Sequence, residues 1–313
     1  MKAVFLDRGS FPEDVFIPVP EGVKETQFFH NSNNTNTLER IQSADIVMTN
    51  KAVLTRSFLE QASNLKLVQV MATGMNNVDL DACKELGIAV QNVAGYSTVS
   101  VPEHTFAMIL ELRRNLTRYR EAIKQGRWSQ SEFFCFMDYP ITDLANSTLC
   151  IIGKGALGKQ VEAIATAFGM QVIFAEHKYA DTIRDGYIAF DGAMEAADII
   201  SLHCPLTEQT HHMIDEDAFK LMKPNALLIN NGRGGLVDEH ALVNALKQGN
   251  IAGAGFDVAT TEPMPQDHIL QTIANLPNFI LTPHVAWASE SAISRLLQIA
   301  CDNMDTFIKQ QTS

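Results

Sequence analysis

Leu149-Cys150-Ile151-Ile152-Gly153-Lys154-Gly155-Ala156-Leu157-Gly158 is the stretch on which the fold turns. Four apolar residues in a row suit a strand buried on both faces, and a Gly-x-Gly-x-x-Gly run leads straight from it into a helical pattern over 156–168. The first glycine permits a tight turn, the second lets backbone approach a pyrophosphate, and the third lets helix and strand pack closely. Amides at the helix start would then hold the anion. A bare glycine pattern is often only a glycine turn, so the reading also requires an acid about 20 residues on, to bond the adenosine ribose. Glu176 stands there, closing Val172-Ile173-Phe174-Ala175. Gly153, Gly155, Ala156, Leu157, Gly158 and Glu176 are therefore cofactor-binding candidates. A carboxylate at the ribose repels the 2′-phosphate of NADP, which points to NAD. His177 and Lys178 follow at once and either could face a phosphate, so NADP stays the less favoured alternative. Lys154 fits a solvated loop lysine better than a phosphate ligand.

Outward from that loop, apolar runs at 172–174, 199–202, 227–229, 253–256 and 279–281 alternate with helical patterns such as 239–247. This is the rhythm of a doubly wound parallel sheet. Runs at 3–6, 46–48, 67–70 and 88–90 predict a second sheet of the same kind. Between the two series, Phe106, Ile109, Leu110, Leu112, Leu116 and Ile123 fall at helical spacing, predicting one long helix over 101–124 with Pro102 in its first turn. A second amphipathic helix is expected over 290–310. The expected fold is α/β, with two Rossmann-like doubly wound domains joined by these two helices.

The bulk numbers narrow the function classes. A chain of 313 residues with 46% hydrophobic and 19% charged content reads as globular and long enough for two cores. Its formal charge of −12 and lack of a basic stripe disfavour nucleic acid as a partner. The five cysteines are far apart, form no Cys-x-x-Cys pair and suit a reducing cytoplasm better than a disulfide framework. The apolar opening, Ala3-Val4-Phe5-Leu6 before Asp7, is short for a signal-peptide core, and no apolar run reaches spanning length, so neither export nor a membrane is expected. His211 and His212 have no acid or cysteine at ligand spacing, and no metal is inferred.

Two segments carry candidate chemistry. In Leu227-Leu228-Ile229-Asn230-Asn231-Gly232-Arg233-Gly234-Gly235, an arginine among glycines just past a buried strand sits where open α/β sheets bind ligands, and its planar fork suits a carboxylate. Glu262-Pro263 and Thr282-Pro283-His284 each follow another expected strand. Histidine shuttles protons near neutral pH, and a carboxylate beside it would favour its charged form and fix its tautomer. Taken singly, either residue is more often structural. Together with Arg233 they offer a cation for a substrate carboxylate and a proton donor for a new alkoxide, as hydride transfer to a 2-keto acid requires.

These motifs, with Gly255-Phe256-Asp257-Val258 and Ala72-Thr73-Gly74-Met75-Asn76-Asn77-Val78-Asp79, resemble the signatures of the D-isomer-specific 2-hydroxyacid dehydrogenases. Asn92-Val93-Ala94-Gly95-Tyr96-Ser97-Thr98 and Pro283-His284-Val285-Ala286-Trp287-Ala288 draw the likeness toward the glycerate dehydrogenase (hydroxypyruvate reductase) group. The resemblance implies His284 as general acid in reduction and base in oxidation, Glu262 as its partner, and Arg233 as substrate anchor. It implies substrate contact by backbone in the Thr73-Gly74 loop, and cofactor contact by Cys204, Pro205, Asn231, Gly232, Asp257 and the Arg233 and His284 region. On the residues alone Asp257 is equally a buried strand-end acid, and His203 a structural one. It further implies a flavodoxin-like substrate domain of residues 1–98 plus 286–313, a dinucleotide-binding domain of 99–285, closure over a substrate between them, and a homodimer. The aromatic segment around Trp128–Tyr139 is read as an interface or a lid. Asn231 stands where threonine or serine is commoner, and Ala259-Thr260-Thr261 replaces a commoner Phe-Glu-x stretch. Alternatives are another keto-acid reductase of the family (glyoxylate, phosphohydroxypyruvate), a formate dehydrogenase, disfavoured by glutamate rather than glutamine at Glu262, and an NADH-sensing corepressor-like binding protein.

Overall fold

The computed structural model describes residues 1–312 as two compact units, one of Met1–Ser97 with the C-terminal stretch from Ser289, the other of Thr98–Ala288. The first holds a parallel sheet of β1 (Lys2–Phe5), β2 (Glu25–Phe28), β3 (Ile46–Thr49), β4 (Leu67–Val70) and β5 (Ala89–Gln91), ordered β2-β1-β3-β4-β5. This is the flavodoxin-like order. Val4, Leu6, Val47, Val68 and Val70 pack on one face with residues of the short helices α1 (Thr37–Ile41), α2 (Arg56–Leu59) and α3 (Leu80–Glu85). The alternate residues Ala3, Phe5, Ile46, Met48 and Leu67 are buried too. Strands covered on both faces read as unbroken apolar runs, which is why these four stand out in the sequence. β2 does not, because Glu25-Thr26-Gln27-Phe28 is a half-exposed edge strand held by its pairing with β1.

The second unit begins with α4 (Ser100–Arg114) and α5 (Leu116–Lys124). The single helix expected over 101–124 is broken at Asn115, whose φ of 52° and ψ of 38° are left-handed. Asparagine tolerates that conformation, and its side-chain amide donates to the Pro140 carbonyl at 2.8 Å. The apolar spacing ran on past the break through Leu116 and Ile123, which are exposed rather than part of the core face.

Beyond lies a six-stranded parallel sheet of β6 (Thr148–Ile152), β7 (Gln171–Phe174), β8 (Ile199–Leu202), β9 (Leu227–Asn230), β10 (Gly253–Phe256) and β11 (Phe279–Leu281), ordered β11-β10-β9-β8-β6-β7. α6 (Ala156–Ala167), α7 (Phe190–Ala196), α8 (Glu216–Leu221) and α9 (Glu239–Gln248) supply the crossovers. Outside β7, Ile188 forms a single parallel bridge to Ala175. Counting that bridge as a shrunken strand restores the dinucleotide-fold order 3-2-1-4-5-6 with one strand added. Alternation divides the sheet between two cores: Leu149, Ile151, Ile199, Leu227 and Ile229 face Phe106, Met108 and Ile109 of α4, while Cys150, Ile152, Ile200, Leu202 and Leu228 face the helices of the other side. Glycines on β10 let α4 come close, since a methyl group at Gly255 would lie 3.0 Å from the Met108 sulfur.

The chain passes between units at Ser97–Thr98 and Ala288–Ser289. The C-terminal helix α10 (Glu290–Thr312) then packs on β4, burying Leu296, Leu297, Ala300 and Met304. Among the described residues no helix is long and apolar enough to cross a membrane.

Candidate active site

The glycine loop leaves β6 with Gly153 at φ 108°. A methyl group there would lie 2.5 Å from the His203 carbonyl oxygen, and one at Gly158 would collide with the Gly153 carbonyl. Gly155 differs: a methyl group would meet nothing within 4 Å, so this position borders open space. Gly155 also caps α6, and no side chain bonds the amides at that helix start. Free amides facing open space at the start of a twelve-residue helix suit a pyrophosphate. First and third glycines thus serve packing, and the middle one leaves room for the anion.

β9 ends on the Arg233 loop. Asn230 closes it, its side chain donating to the Arg233 carbonyl at 2.9 Å and accepting from the Gly232 amide at 3.1 Å. The half-buried Arg233 guanidinium bonds the Gly232 carbonyl at 2.8 Å. A methyl group on Gly234 would collide with the Ala259–Thr260 peptide, so that glycine seats the arginine loop directly on the loop after β10. There Glu262 accepts from the Ala259 amide at 3.1 Å through one oxygen and meets His284 Nδ1 at 2.7 Å through the other. His284 follows β11 with φ 56°, a left-handed conformation uncommon for a side-chain-bearing residue and typical of constrained sites.

Asp257, at the end of β10 and 1% exposed, holds that turn. One oxygen accepts from Thr282 Oγ1 at 2.5 Å and the Val285 amide at 2.9 Å, the other from the Ala286 amide at 2.8 Å. These bonds bracket His284 on both sides. They favour the buried-acid reading of Asp257, whose work is to position the histidine's backbone.

Residues 106–286 match the family model described as D-isomer specific 2-hydroxyacid dehydrogenase, NAD binding domain. The chain belongs to the D-isomer-specific 2-hydroxyacid dehydrogenases. It is therefore an oxidoreductase of the CH–OH group. Similar proteins include a glycerate dehydrogenase of Methylorubrum extorquens, 43% identical over 98% of this chain and 96% of that protein. A hydroxypyruvate reductase of Blautia hydrogenotrophica is 37% identical over 87% of this chain and 84% of that one. The solved D-lactate dehydrogenase of Aquifex aeolicus, complexed with NAD and lactic acid, superposes with a TM-score of 0.82 at 30% identity, covering 98% of this chain and 96% of that one.

Other residues of the dehydrogenase fall into place with less uniformity. Asn231 is buried; its side-chain nitrogen donates to Thr105 Oγ1 at 2.9 Å, while its oxygen has no partner among the described residues. An orphaned buried acceptor beside the arginine loop suits a carboxamide donor, so with the glycine loop the residues present fit a nicotinamide dinucleotide. Cys204 is buried beside Gly153 with its thiol pushed up to about 11 by burial, and Pro205 accepts from Thr210. His203 bonds Ser201 at 2.8 Å, and burial of the ring brings its pKa down to about 4. That is the structural alternative for His203. In the first unit, Thr73 Oγ1 donates to the Val93 carbonyl at 2.9 Å and Asn92 donates to the Thr73 carbonyl at 2.7 Å, tying the loop after β4 to the segment after β5.

Sequence reasoning missed three participants. Glu239, at the start of α9, accepts from the Thr260 amide at 2.8 Å and the Thr260 hydroxyl at 2.7 Å, with His268 Nε2 at 3.2 Å. This buried clamp fixes the loop that carries Glu262, using the very threonine that departs from the commoner family stretch. His104 of α4 meets Thr282 Oγ1 at 3.1 Å. The third is Arg184, which occupies Glu176: its Nε and Nη2 donate to the two carboxylate oxygens at 2.7 and 2.6 Å. Lys154, expected as a solvated lysine, lies 4.4 Å from the Phe174 ring centroid, and Lys178 turns to Asp215 at 2.5 Å. Among the described residues no group of three His, Cys, Asp or Glu side chains is placed to hold a metal ion.

Proposed function

We propose that this dehydrogenase interconverts hydroxypyruvate and D-glycerate with NADH as the working cofactor. The observation that carries the reading is the 2.7 Å His284–Glu262 pair, set on a loop that packs against the loop bearing Arg233. When bound, the nicotinamide supplies or accepts the hydride at the substrate's second carbon. Glu262 accepts the Nδ1 proton of His284, which leaves Nε2 to give a proton to the oxygen of the reduced carbonyl and to take it back in oxidation. Arg233 offers its forked donors to the substrate carboxylate and draws electron density from the carbonyl. Backbone amides of the Thr73-Gly74 loop are assigned to the same carboxylate. The names of the Methylorubrum and Blautia relatives support a three-carbon hydroxy acid over a longer one.

The test is loss of NADH absorbance with hydroxypyruvate, glyoxylate, pyruvate and phosphohydroxypyruvate in parallel, beside a His284→Ala control. Fastest turnover of hydroxypyruvate, abolished in the control, is expected. Preference for glyoxylate or the phosphorylated acid would move the assignment within the family, and cofactor binding without any turnover would favour a sensing role.

We place the protein in the cytoplasm as a homodimer. All five cysteines are free thiols, which suits a reducing compartment. The proposed dimer contact is the 128–141 segment, where Phe133, Phe134 and Met137 are presented to solvent. Their backbone is pinned from below, with Trp128 Nε1 donating to the Phe134 carbonyl at 2.9 Å and Arg127 forked onto Asp138 at 2.7 and 2.9 Å. Ordered apolar side chains in water mark a contact surface.

A further inference from the structure

We infer that Arg184 makes the adenosine end of the site accept a 2′-phosphate, so that the protein binds NADPH as well as NADH. The inference rests on the dinucleotide reading above and concerns the residue on which cofactor choice depends.

The expectation of NAD alone came from a free carboxylate at the end of β7. Glu176 is not free. Its side chain is 3% exposed and accepts four bonds, from Arg184 Nε and Nη2 at 2.7 and 2.6 Å, the Arg184 amide at 3.2 Å and the His177 amide at 3.0 Å. A carboxylate has about four acceptor positions, so a ribose hydroxyl must displace one of these donors to reach it. Its negative charge is also cancelled at contact distance by the guanidinium, which removes the repulsion that would exclude a 2′-phosphate. In keeping with this, Arg184 and the two amides hold the Glu176 carboxyl down at about 2.

The cation has a surface to work from. A depression of about 450 Å³ at this strand end is lined by Glu176, His177, Tyr179, Thr182, Arg184 and Gln209, with Asp181 as the only other carboxylate on its wall among the described residues. The Arg184 side chain is 55% exposed. Its guanidinium stacks 4.1 Å over the Tyr187 ring, and the Lys154 ammonium lies 5.6 Å from the same ring and 4.4 Å from that of Phe174. Two cations thus share one aromatic shelf next to the glycine loop. A guanidinium held flat on a ring keeps its outward N–H groups available in a fixed plane, the geometry that suits phosphate. Lys178, engaged with Asp215, does not join them.

The experiment titrates NADH and NADPH separately against wild-type protein, Arg184→Ala and Arg184→Lys, following nicotinamide fluorescence without substrate. Wild-type dissociation constants for the two cofactors should agree within about tenfold, and Arg184→Ala should weaken NADPH by at least about tenfold more than NADH, the worth of one charge-assisted contact. Arg184→Lys should recover part of that loss. Should Arg184→Ala misfold, 2′,5′-ADP competing with NADH on the wild-type protein decides: displacement as good as by ADP supports the inference, and clearly weaker displacement overturns it. Wild-type preference for NADH beyond that tenfold margin, or equal loss of both cofactors in Arg184→Ala, overturns it and leaves the dinucleotide reading intact. Binding of neither cofactor by wild-type protein overturns both.

Discussion

Glu262 stands 2.7 Å from His284 Nδ1 with one oxygen and accepts the Ala259 amide with the other. The carboxylate is aimed by its own loop, so the histidine receives both its tautomer and its direction from Glu262. Glu262→Gln should leave NADH affinity unchanged and cut kcat by roughly 10²-fold, with His284→Ala costing at least as much. Steady-state reduction of hydroxypyruvate beside fluorescence titration of NADH separates the two effects. An unchanged kcat in Glu262→Gln would sink the assignment.

Arg233 is held by backbone bonds to its own loop and keeps the rest of its fork for substrate. Arg233→Gln should lower kcat/KM by roughly 10²- to 10³-fold while NADH still binds, because the lost groups act on the carboxylate and the developing oxyanion. Loss of NADH binding in proportion would show that the arginine belongs to the cofactor instead.

Thr260 donates twice to the buried carboxylate of Glu239. Thr260→Val removes the hydroxyl donor and should destabilise the protein by about 1–3 kcal/mol, the cost of an underserved buried acceptor. Urea denaturation measures this. A variant with wild-type stability would show that water replaces the hydroxyl and that the clamp is not closed.

His203 yields a pH signature of stability. Its folded pKa of about 4 lies below the model value of 6.5, so the unfolded chain binds the proton more readily. The contribution is complete above the unfolded value and is lost as pH falls toward the folded one. Between pH 7.5 and 5 this residue should account for about 2 kcal/mol of lost stability, and His203→Gln should flatten the profile by that amount. Parallel profiles for the two proteins would mean that the ring is protonated without penalty.

Phe134, 90% exposed, tests the dimer. Phe134→Glu should shift sedimentation from dimer to monomer at micromolar concentration, since a charge in an apolar contact is left unpaired. A wild-type protein that sediments as a monomer would remove the proposal.

Where the chain buries both faces of a strand, the sequence announces it: Leu149–Ile152 and Leu227–Ile229 read as unbroken apolar runs because cores lie on either side. Glu25–Phe28 escaped because an edge strand needs no such run. Asn115 escaped because apolar spacing tracks side chains and is blind to a single left-handed residue. In the site, Arg233, Glu262 and His284 were legible since each directly follows a strand. Arg184 was not, as it lies in an aperiodic loop eight residues past its partner. Glu239, Thr260 and His268 meet only after α9 and the loop beyond β10 have folded together, and no local pattern records that meeting.

Asp257 ties the turn around His284 to the end of a central strand. The histidine's placement therefore has the durability of the sheet rather than of a surface loop. On heating, such a site should not fray ahead of the rest. Residual activity after a thermal challenge would then track the fraction of molecules whose second unit is still folded, and an enzyme that has cooled with its fold intact would have its proton donor already in place.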